Sequence, residues 1–142
     1  MPVKIADNET DLHACFRIMQ HLRPELDQQG FAQTVRRLNH HGYRLALLET
    51  AQGAVAVAGF RISESLAWKR YLYVDDLVTL PEARSRGYGA QLLEWLEQYA
   101  AETGCEQIHL DCGIQREEAH RFYRRSGLQA TAFHFHKPLH PR

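Results

Sequence analysis

The feature that most constrains this chain is a glycine-containing loop between a strand-like segment and a long amphipathic helix. The loop reads Arg-Ser-Arg-Gly-Tyr-Gly-Ala over residues 84–90. Gly87 and Gly89 let the backbone approach a ligand closely, because neither has a Cβ. The first N–H groups of the helix and the positive end of its dipole point to the same place. With two arginines nearby, this junction predicts an anion site, most naturally for phosphate. A plain loop-to-helix junction is the alternative.

Length and charge limit the class of protein. A chain of 142 residues suits one domain, predicted over residues 1–142. Lysine plus arginine and aspartate plus glutamate both total 17, so the formal net charge is zero. No global field then attracts nucleic acid or an anionic membrane, and neither is predicted as a partner. The chain has no apolar run of membrane-spanning length and no apolar signal core at its start, so a cytoplasmic location is predicted.

Neither the cysteines nor the histidines indicate a metal site. The three cysteines are widely spaced and form no CxxC pair, which is typical of free thiols. The nine histidines include an alternating group near the C-terminus, but no carboxylate or cysteine stands with them at metal-ligand spacing. We therefore predict no metal.

The hydrophobic pattern predicts the element order β-α-α-β-β-β-α-β-α-β, which is an α/β (α+β mixed) fold with helices on both faces of one sheet. Asn8 is a candidate cap of the first helix. Residues 63–69 are predicted to be a loop before the strand at 70–79. The strand at 107–112, which follows the long helix, would run parallel to that strand if the helix is a crossover. A last strand is predicted through residues 129–135.

Two familiar phosphate-binding motifs do not fit the glycine loop. A dinucleotide-binding GxGxxG would need a third glycine where Leu92 stands, and a loop separates this strand from its helix. A P-loop needs GxxxxGK[ST], and the chain has no such lysine.

A different combination of motifs fits a known family. It consists of Arg84-x-x-Gly87-x-Gly89-Ala90, preceded by Leu77-x-Thr79-x-Pro81 and followed, after one strand, by Ala119-x-x-Phe122-Tyr123-x-x-x-Gly127-Leu128. This combination resembles the GNAT superfamily of N-acetyltransferases, over nearly the whole chain in element order. The resemblance implies a single domain with a mostly antiparallel central sheet. In that sheet a parallel strand pair splays apart to hold acetyl-CoA as co-substrate.

The resemblance also implies which residues bind the cofactor. The backbone of Leu77, Val78 and Thr79 would pair with the pantetheine arm like an added strand. Backbone N–H groups of the loop would hold the pyrophosphate; the loop residues are Arg84, Ser85, Arg86, Gly87, Tyr88, Gly89 and Ala90. One of the two arginines could add charge-assisted contacts or merely shape the loop. Arg116 stands where many relatives have a cofactor-contacting asparagine; it could reach a CoA phosphate, face an acidic substrate, or lie in solvent without a role.

Acetyl transfer to an amine needs an acid for the leaving thiolate and a donor for the carbonyl oxygen. Tyr123 matches the tyrosine that the family places near the CoA sulfur, and a phenol with a pKa of about 10 can donate a proton without ionising at neutral pH. The alternative is that Tyr123 packs beside Phe122 as core. The backbone N–H of Val78 is the candidate donor to the carbonyl oxygen.

The base is expected to be a carboxylate, directly or through a water. Asp75 and Asp76 are consecutive on a strand, so they are predicted to face opposite sides of the sheet. Either could accept the proton of the amine. Equally, the pair could anchor a substrate ammonium group or neutralise Arg61 or Lys69.

The acceptor is predicted to be a primary amine of a small molecule, amino acid or protein. Its candidate contacts are Phe31, Arg61, Trp68 and Tyr73, with Phe16, Arg23 and Tyr71 as further possibilities. Aromatic rings near carboxylates suit a cationic amine, although the same rings could be simple packing. The alternative function is a non-catalytic, acyl-CoA-binding regulatory module of the same fold. A homodimer through the last strand, with its Phe133 and Phe135, is a further hypothesis.

Overall fold

The computed structural model describes residues 2–140. The chain divides after Leu110 into two compact units, which are described separately. The first unit contains β1 (Val3–Ile5), α1 (Glu9–Met19), α2 (Gln28–Asn39), β2 (Tyr43–Thr50), β3 (Gly53–Ser65), β4 (Lys69–Thr79), a 3-10 turn (Pro81–Ala83), α3 (Tyr88–Glu102) and β5 (Gln107–Leu110). The second contains α4 (Glu117–Arg125).

The strands of the first unit form one sheet in the order β1-β2-β3-β4-β5. Neighbouring strands are antiparallel except for β4 and β5, which pair in parallel because α3 crosses over between them. The predicted mixed sheet with a parallel pair is therefore confirmed. The strand β5 ends at Leu110 rather than at the predicted residue 112.

The two faces of the sheet carry different helices. Apolar residues of α1 and α2 pack with inward side chains of β2 and β3 in one buried cluster, which includes Phe31 and Tyr43. On the other face, Phe60 of β3 packs against Trp95 and Tyr99 of α3, with ring centroids 6.5 and 5.5 Å away. The predicted placement of helices on both faces is thus confirmed for α1, α2 and α3.

The helix starts of α1 and α2 are closed by side chains. Asn8 Oδ1 accepts a hydrogen bond of 2.8 Å from the Asp11 N–H, as predicted. Asp27 Oδ1 accepts a hydrogen bond of 2.7 Å from the Gly30 N–H at the start of α2, and this second cap was not predicted. Both helices therefore have part of their unpaired N-terminal donors satisfied within the chain.

The hairpin of β3 and β4 is longer than predicted. Residues 63–65 belong to β3, and the ladder continues to Ser65↔Lys69, so the prediction of a loop over residues 63–69 is wrong. Serine and glutamate favour strands weakly, but each gains a cross-strand partner on β4, and pairing of this kind overrides intrinsic preference. Only residues 66–68 form the turn.

A β-bulge interrupts the pairing of β3 with β4. Phe60 pairs with Val74 and Gly59 pairs with Asp76, so Asp75 is an extra residue on β4. Paired residues share a face, and the extra residue puts Asp76 on the face that Asp75 also occupies. The prediction that the two carboxylates face opposite sides is therefore wrong, because strict alternation holds only in a strand without a bulge.

The second unit has one helix followed by an extended tail. The helix α4 begins at Glu117 and ends at Arg125. Residues 129–138 are neither helix nor strand, so the prediction of a last strand through residues 129–135 is wrong. The alternating pattern is present, but a strand needs a neighbour for its backbone groups and a surface to cover. Within residues 2–140 the tail has no ladder partner, and Phe133 and Phe135 are 80% and 88% exposed.

Candidate active site

The glycine loop presents an open helix N-terminus. Gly87 is the N-cap of α3 with φ +80°, and no side chain caps this helix. Its first turn has no acidic residue either. Ser85 also adopts a left-handed φ of +65°, a conformation that is uncommon for residues other than glycine. The loop therefore aims backbone N–H groups outward, with Arg84 and Arg86 exposed beside them.

The second half of β4 has a free edge. The parallel ladder with β5 ends at the pair Val74↔Leu110. From Asp75 to Thr79, β3 is the one strand that pairs with β4 among the described residues. The N–H and C=O groups on the other edge, which include those of Leu77 and Val78, can accept an extended ligand by β-augmentation.

Asp76 lies at the centre of a three-residue network. Its Oδ1 accepts a hydrogen bond of 2.7 Å from Arg23 Nη2, and its Oδ2 accepts one of 2.7 Å from the Tyr43 hydroxyl. The Asp76 side chain is 12% exposed and that of Arg23 is 48% exposed. Burial, and next the nearby carboxylates, raise the pKa of Tyr43 far above its usual value, so this hydroxyl stays a donor.

Asp75 forms a separate ion pair on the same face. Arg61 Nε lies 3.0 Å from Asp75 Oδ2, and Arg61 Nη2 lies 3.2 Å from Oδ1, which makes the pair bidentate. The guanidinium also lies 4.8 Å from the centre of the Tyr73 ring. Burial raises the pKa of Asp75 above its ordinary value, and the bond to Arg61 opposes that rise without cancelling it.

Gly59 makes the Asp76 network possible. A Cβ at this position would overlap the Tyr43 hydroxyl and would lie 2.8 Å from Asp76 Oδ2. Tyr43 was not predicted as a site residue. A glycine inside a strand pattern is a known sign of a bulge or of a close approach by another group. This signal at Gly59 could have indicated that a side chain such as Tyr43 packs against the strand there.

The predicted acceptor contacts are only partly brought together. Phe31 is buried, packs on Phe16 with ring centroids 5.6 Å apart, and lines a cavity with Tyr43 and Asp76. Arg61 and Tyr73 adjoin Asp75 as described above. Trp68 instead stands in the β3–β4 turn, where it stacks on His109 at 3.6 Å and meets Tyr71 edge-on. The role of Trp68 as an acceptor contact stays a prediction.

The second unit holds the two remaining predicted residues. Tyr123 lies on α4 next to Phe122, with ring centroids 5.1 Å apart. Burial raises its pKa, Cys112 adds to the rise, and Arg116 opposes it. Arg116 is the N-cap residue of α4 without a side-chain cap bond, and its Cδ lies near Gly113. These surroundings keep Tyr123 in the phenol form at neutral pH.

No group of three or more histidine, cysteine, aspartate or glutamate side chains among residues 2–140 is placed to hold a metal ion. In the same residues, no helix combines the length and the hydropathy needed to cross a membrane.

The sequence is similar to those of named acetyltransferases. Residues 8–128 match the model of the Acetyltransferase (GNAT) family. The chain is 36% identical over 127 residues to aminoalkylphosphonate N-acetyltransferase of Salmonella typhimurium, covering 86% of this chain and 80% of the relative. It is 32% identical over 126 residues to the uncharacterized N-acetyltransferase YhdJ of Bacillus subtilis, covering 87% and 89%.

Solved structures share the fold. The aminoglycoside N-acetyltransferase AAC(6')-Iy in complex with CoA superposes with a TM-score of 0.80 at 17% identity, covering 96% of this chain and 95% of that one. An acetyltransferase of Trypanosoma brucei superposes with a TM-score of 0.79 at 22% identity, covering 96% and 98%. The family match, the two sequence relatives and the open loop before α3 lead to one conclusion: this chain belongs to the GNAT family of acetyltransferases and is an N-acetyltransferase.

Proposed function

We propose that this protein transfers the acetyl group of acetyl-CoA directly to a primary amine, with both substrates bound together. One observation carries the proposal. After Val74, the backbone of β4 no longer pairs with β5. The first two residues of this unpaired edge are Asp75 and Asp76, which carry the carboxylate pair. A thioester carrier along residues 75–79 would therefore end beside groups that can receive an amine and its proton.

Two elements of the first unit fit the polar parts of acetyl-CoA, which supplies an activated acyl group when bound. The free edge of Leu77, Val78 and Thr79 offers alternating N–H and C=O groups to the amide-rich arm. Residues 84–90 offer the uncapped start of α3 to the pyrophosphate. The Val78 N–H is the proposed donor to the acetyl carbonyl oxygen. Arg116 is proposed to contact a CoA phosphate.

Asp75 is the proposed base. The two oxygens of Asp76 are held by Arg23 and by the buried Tyr43 hydroxyl, so that side chain is proposed to serve as a fixed negative charge. The pKa of Asp75 is raised by burial, which favours this carboxylate as a proton acceptor. An amine that loses its proton to Asp75, directly or through a water, gains the lone pair that attacks the acetyl carbon.

Tyr123 is the proposed acid. As nitrogen bonds to the acetyl carbon and the carbon–sulfur bond breaks, the thiolate needs a proton. The raised pKa of Tyr123 means that the phenol is protonated when that need arises. The resemblance of the Phe122-Tyr123 motif to that of the family supports this role, because the resemblance implies a tyrosine near the CoA sulfur.

A small-molecule amine is the acceptor class best supported. The Salmonella relative is named for aminoalkylphosphonates, which carry a primary amine, and AAC(6')-Iy is named for aminoglycosides. Phe31, Arg61, Tyr73 and Trp68 are the proposed contacts of the acceptor.

Release of the CoA thiol across a panel of amines tests the proposal. We expect turnover with at least one small primary amine, and a large loss of kcat in Tyr123→Phe with unchanged acetyl-CoA binding. The matched control is Tyr99→Phe, a conservative change at a tyrosine of α3 that packs against Phe60 and has no proposed part in the site. Tight acetyl-CoA binding without turnover on any amine would favour the non-catalytic regulatory module instead.

Two predictions from the sequence stay open. A homodimer through residues 129–135 is proposed because Phe133 and Phe135 form an exposed pair, with ring centroids 6.5 Å apart. Sedimentation velocity of the wild type and of Phe133→Ser/Phe135→Ser would test it, and an unchanged monomer in both would reject it. The cytoplasmic location also stays a prediction.

A further inference from the structure

A small cavity adjoins Asp76 on the face of the sheet that carries α1 and α2. Its volume is about 140 Å³. Most of the residues that line it are apolar, and three of the polar ones are joined because Arg23 and Tyr43 both donate hydrogen bonds to Asp76. The cavity is lined by Met19, Arg23, Leu26, Phe31, Thr34, Val35, Leu38, Tyr43 and Asp76. Apolar walls with a few converging polar groups are typical of small-molecule sites.

The polar end holds one charge of each sign. Asp76 is nearly buried and is fixed from two sides, by the Tyr43 hydroxyl and by Arg23. Arg23 follows α1, is about half exposed, and uses one terminal nitrogen on Asp76. A guanidinium has five N–H donors, so Arg23 can bind a second anion without leaving the site. The carboxylate is thus the rigid partner and the guanidinium the movable one.

This arrangement discriminates between classes of amine. An acceptor that carries only an ammonium group would compete with Arg23 for Asp76 and leave two cations beside one carboxylate. A diamine would add a third cation. An acceptor with an ammonium group and an acidic group would satisfy both residues, because each ion of the Arg23–Asp76 pair would gain a partner of opposite charge. Selection of this kind relies on the repulsion of wrong ligands as much as on attraction of the right one.

We propose that the acceptor is a small zwitterion, a primary amine with an acidic group a few bonds away, whose ammonium group binds Asp76 and whose acid binds Arg23. The inference rests on the proposed acetyl transfer and adds the class of acceptor. Arginine binds carboxylate and phosphonate oxygens in the same bidentate geometry, so both acids belong to the class.

Four amines of similar size test the proposal by release of the CoA thiol. They are β-alanine, 2-aminoethylphosphonate, n-propylamine and ethylenediamine, which carry a carboxylate, a phosphonate, a neutral tail and a second amine. We expect kcat/KM to be highest for one of the two acids, lower for propylamine by about 10- to 100-fold, and lowest for ethylenediamine, as charge-assisted hydrogen bonds predict. The order of the two acids identifies which acid the site prefers.

The variant Arg23→Gln tests the selectivity between amines, which a purely structural defect would leave unchanged. We expect the ratio of kcat/KM for the better acid to that for propylamine to fall to about one, with recovery of part of it in Arg23→Lys. Arg17→Gln, an exposed arginine of α1 outside the cavity, is the matched control and should keep the wild-type ratio.

The outcomes separate the two levels of the proposal. If propylamine is acetylated as well as both acids, or if Arg23→Gln keeps the wild-type ratio, the zwitterion inference is wrong while acetyl transfer stands. If all four amines fail and a larger amine such as an aminoglycoside is acetylated, the inference is wrong in the same way. Failure of every amine, with acetyl-CoA still bound, would overturn the proposed function itself.

Discussion

The glycine loop before α3 and the carboxylate pair on β4 differ in the atoms that they offer to a ligand. The loop offers backbone N–H groups that no side chain caps, so an anion can bind without displacing anything. The carboxylates are already bonded to Arg61, Arg23 and Tyr43, so a ligand there must share or exchange those partners. The loop therefore suits a cofactor that is always the same, whereas the carboxylate pair can select among acceptors.

The largest effect is expected at the side chain that is proposed to take the proton of the amine. In Asp75→Asn we expect kcat to fall by about 10²- to 10⁴-fold, because the amide cannot take the proton of the amine. Acetyl-CoA affinity, measured by calorimetry, should not change, since the proposed contacts of the loop and the β4 edge with the cofactor are made by backbone atoms. A loss of less than about tenfold would reassign the base to a water or to Asp76.

The second prediction tests how tightly the carboxylate side is packed. In Gly59→Ala the new Cβ would overlap Tyr43 and crowd Asp76, so we expect the free energy of unfolding to fall by about 3 kcal/mol, the upper range for overpacking. The melting temperature should drop by about 4 °C for each kcal/mol.

A double-mutant cycle identifies the cause of that loss. Tyr43→Leu removes the ring that the Cβ would meet, so Gly59→Ala should cost much less in that background. Additive losses in the double variant would show that the glycine is needed for its backbone rather than for the approach of Tyr43.

The third prediction tests the loop, where strain should affect binding and not folding. Gly87 has φ +80° and open space around its missing Cβ. An alanine in this conformation costs about 1–2 kcal/mol, and relaxation would turn the N–H groups away, so we expect KM for acetyl-CoA to rise about tenfold. Gly53→Ala in the β2–β3 turn is the matched control, with φ +108° and open space, and it should leave KM for acetyl-CoA unchanged. Equal effects of the two variants on KM would remove the special role of the loop.

The smallest expected effect is a shift along the pH axis. The base must be ionised, so kcat/KM rises as pH increases through the pKa of Asp75. Burial raises that pKa and Arg61 opposes the rise most strongly, so Arg61→Gln should raise the pKa further and move the acid limb to higher pH. Arg36→Gln, which affects only an exposed ion pair with Glu9, should leave the profile in place. An acid limb that moves to lower pH in Arg61→Gln would contradict the assignment.

The sequence predicted the order of strand, loop and helix around residues 84–90 because the signals for it belong to local chain chemistry. A glycine at Gly87 permits the left-handed conformation, and helical spacing after it indicates the start of α3. It also predicted the parallel β4–β5 pair from the crossover helix. All of these follow from short segments read one at a time.

The carboxylate side could be predicted only in part. The two aspartates were visible, but their common face depends on a bulge whose register is set by pairing with β3. Tyr43 stands 33 residues before Asp76, and a spacing of that kind predicts no contact without the fold. The predicted last strand failed for a related reason: alternation describes a strand that has a partner, and residues 129–138 have none within the described chain.

The extra residue at Asp75 also determines how this chain tolerates changes in length. Beyond the bulge, Val78 joins the cluster beneath α1 and α2, opposite Val57. Deletion of that extra residue would restore strict alternation and leave Asp76 opposite Gly59 and Val78 opposite Val57, so that Val78 would stay in the cluster. A single-residue deletion at Asp75 would thus remove one carboxylate without exchanging the two faces of the strand. β4 can therefore lose one residue at the bulge without a change of register, whereas an inserted residue would need a second bulge or would turn the residues after it over.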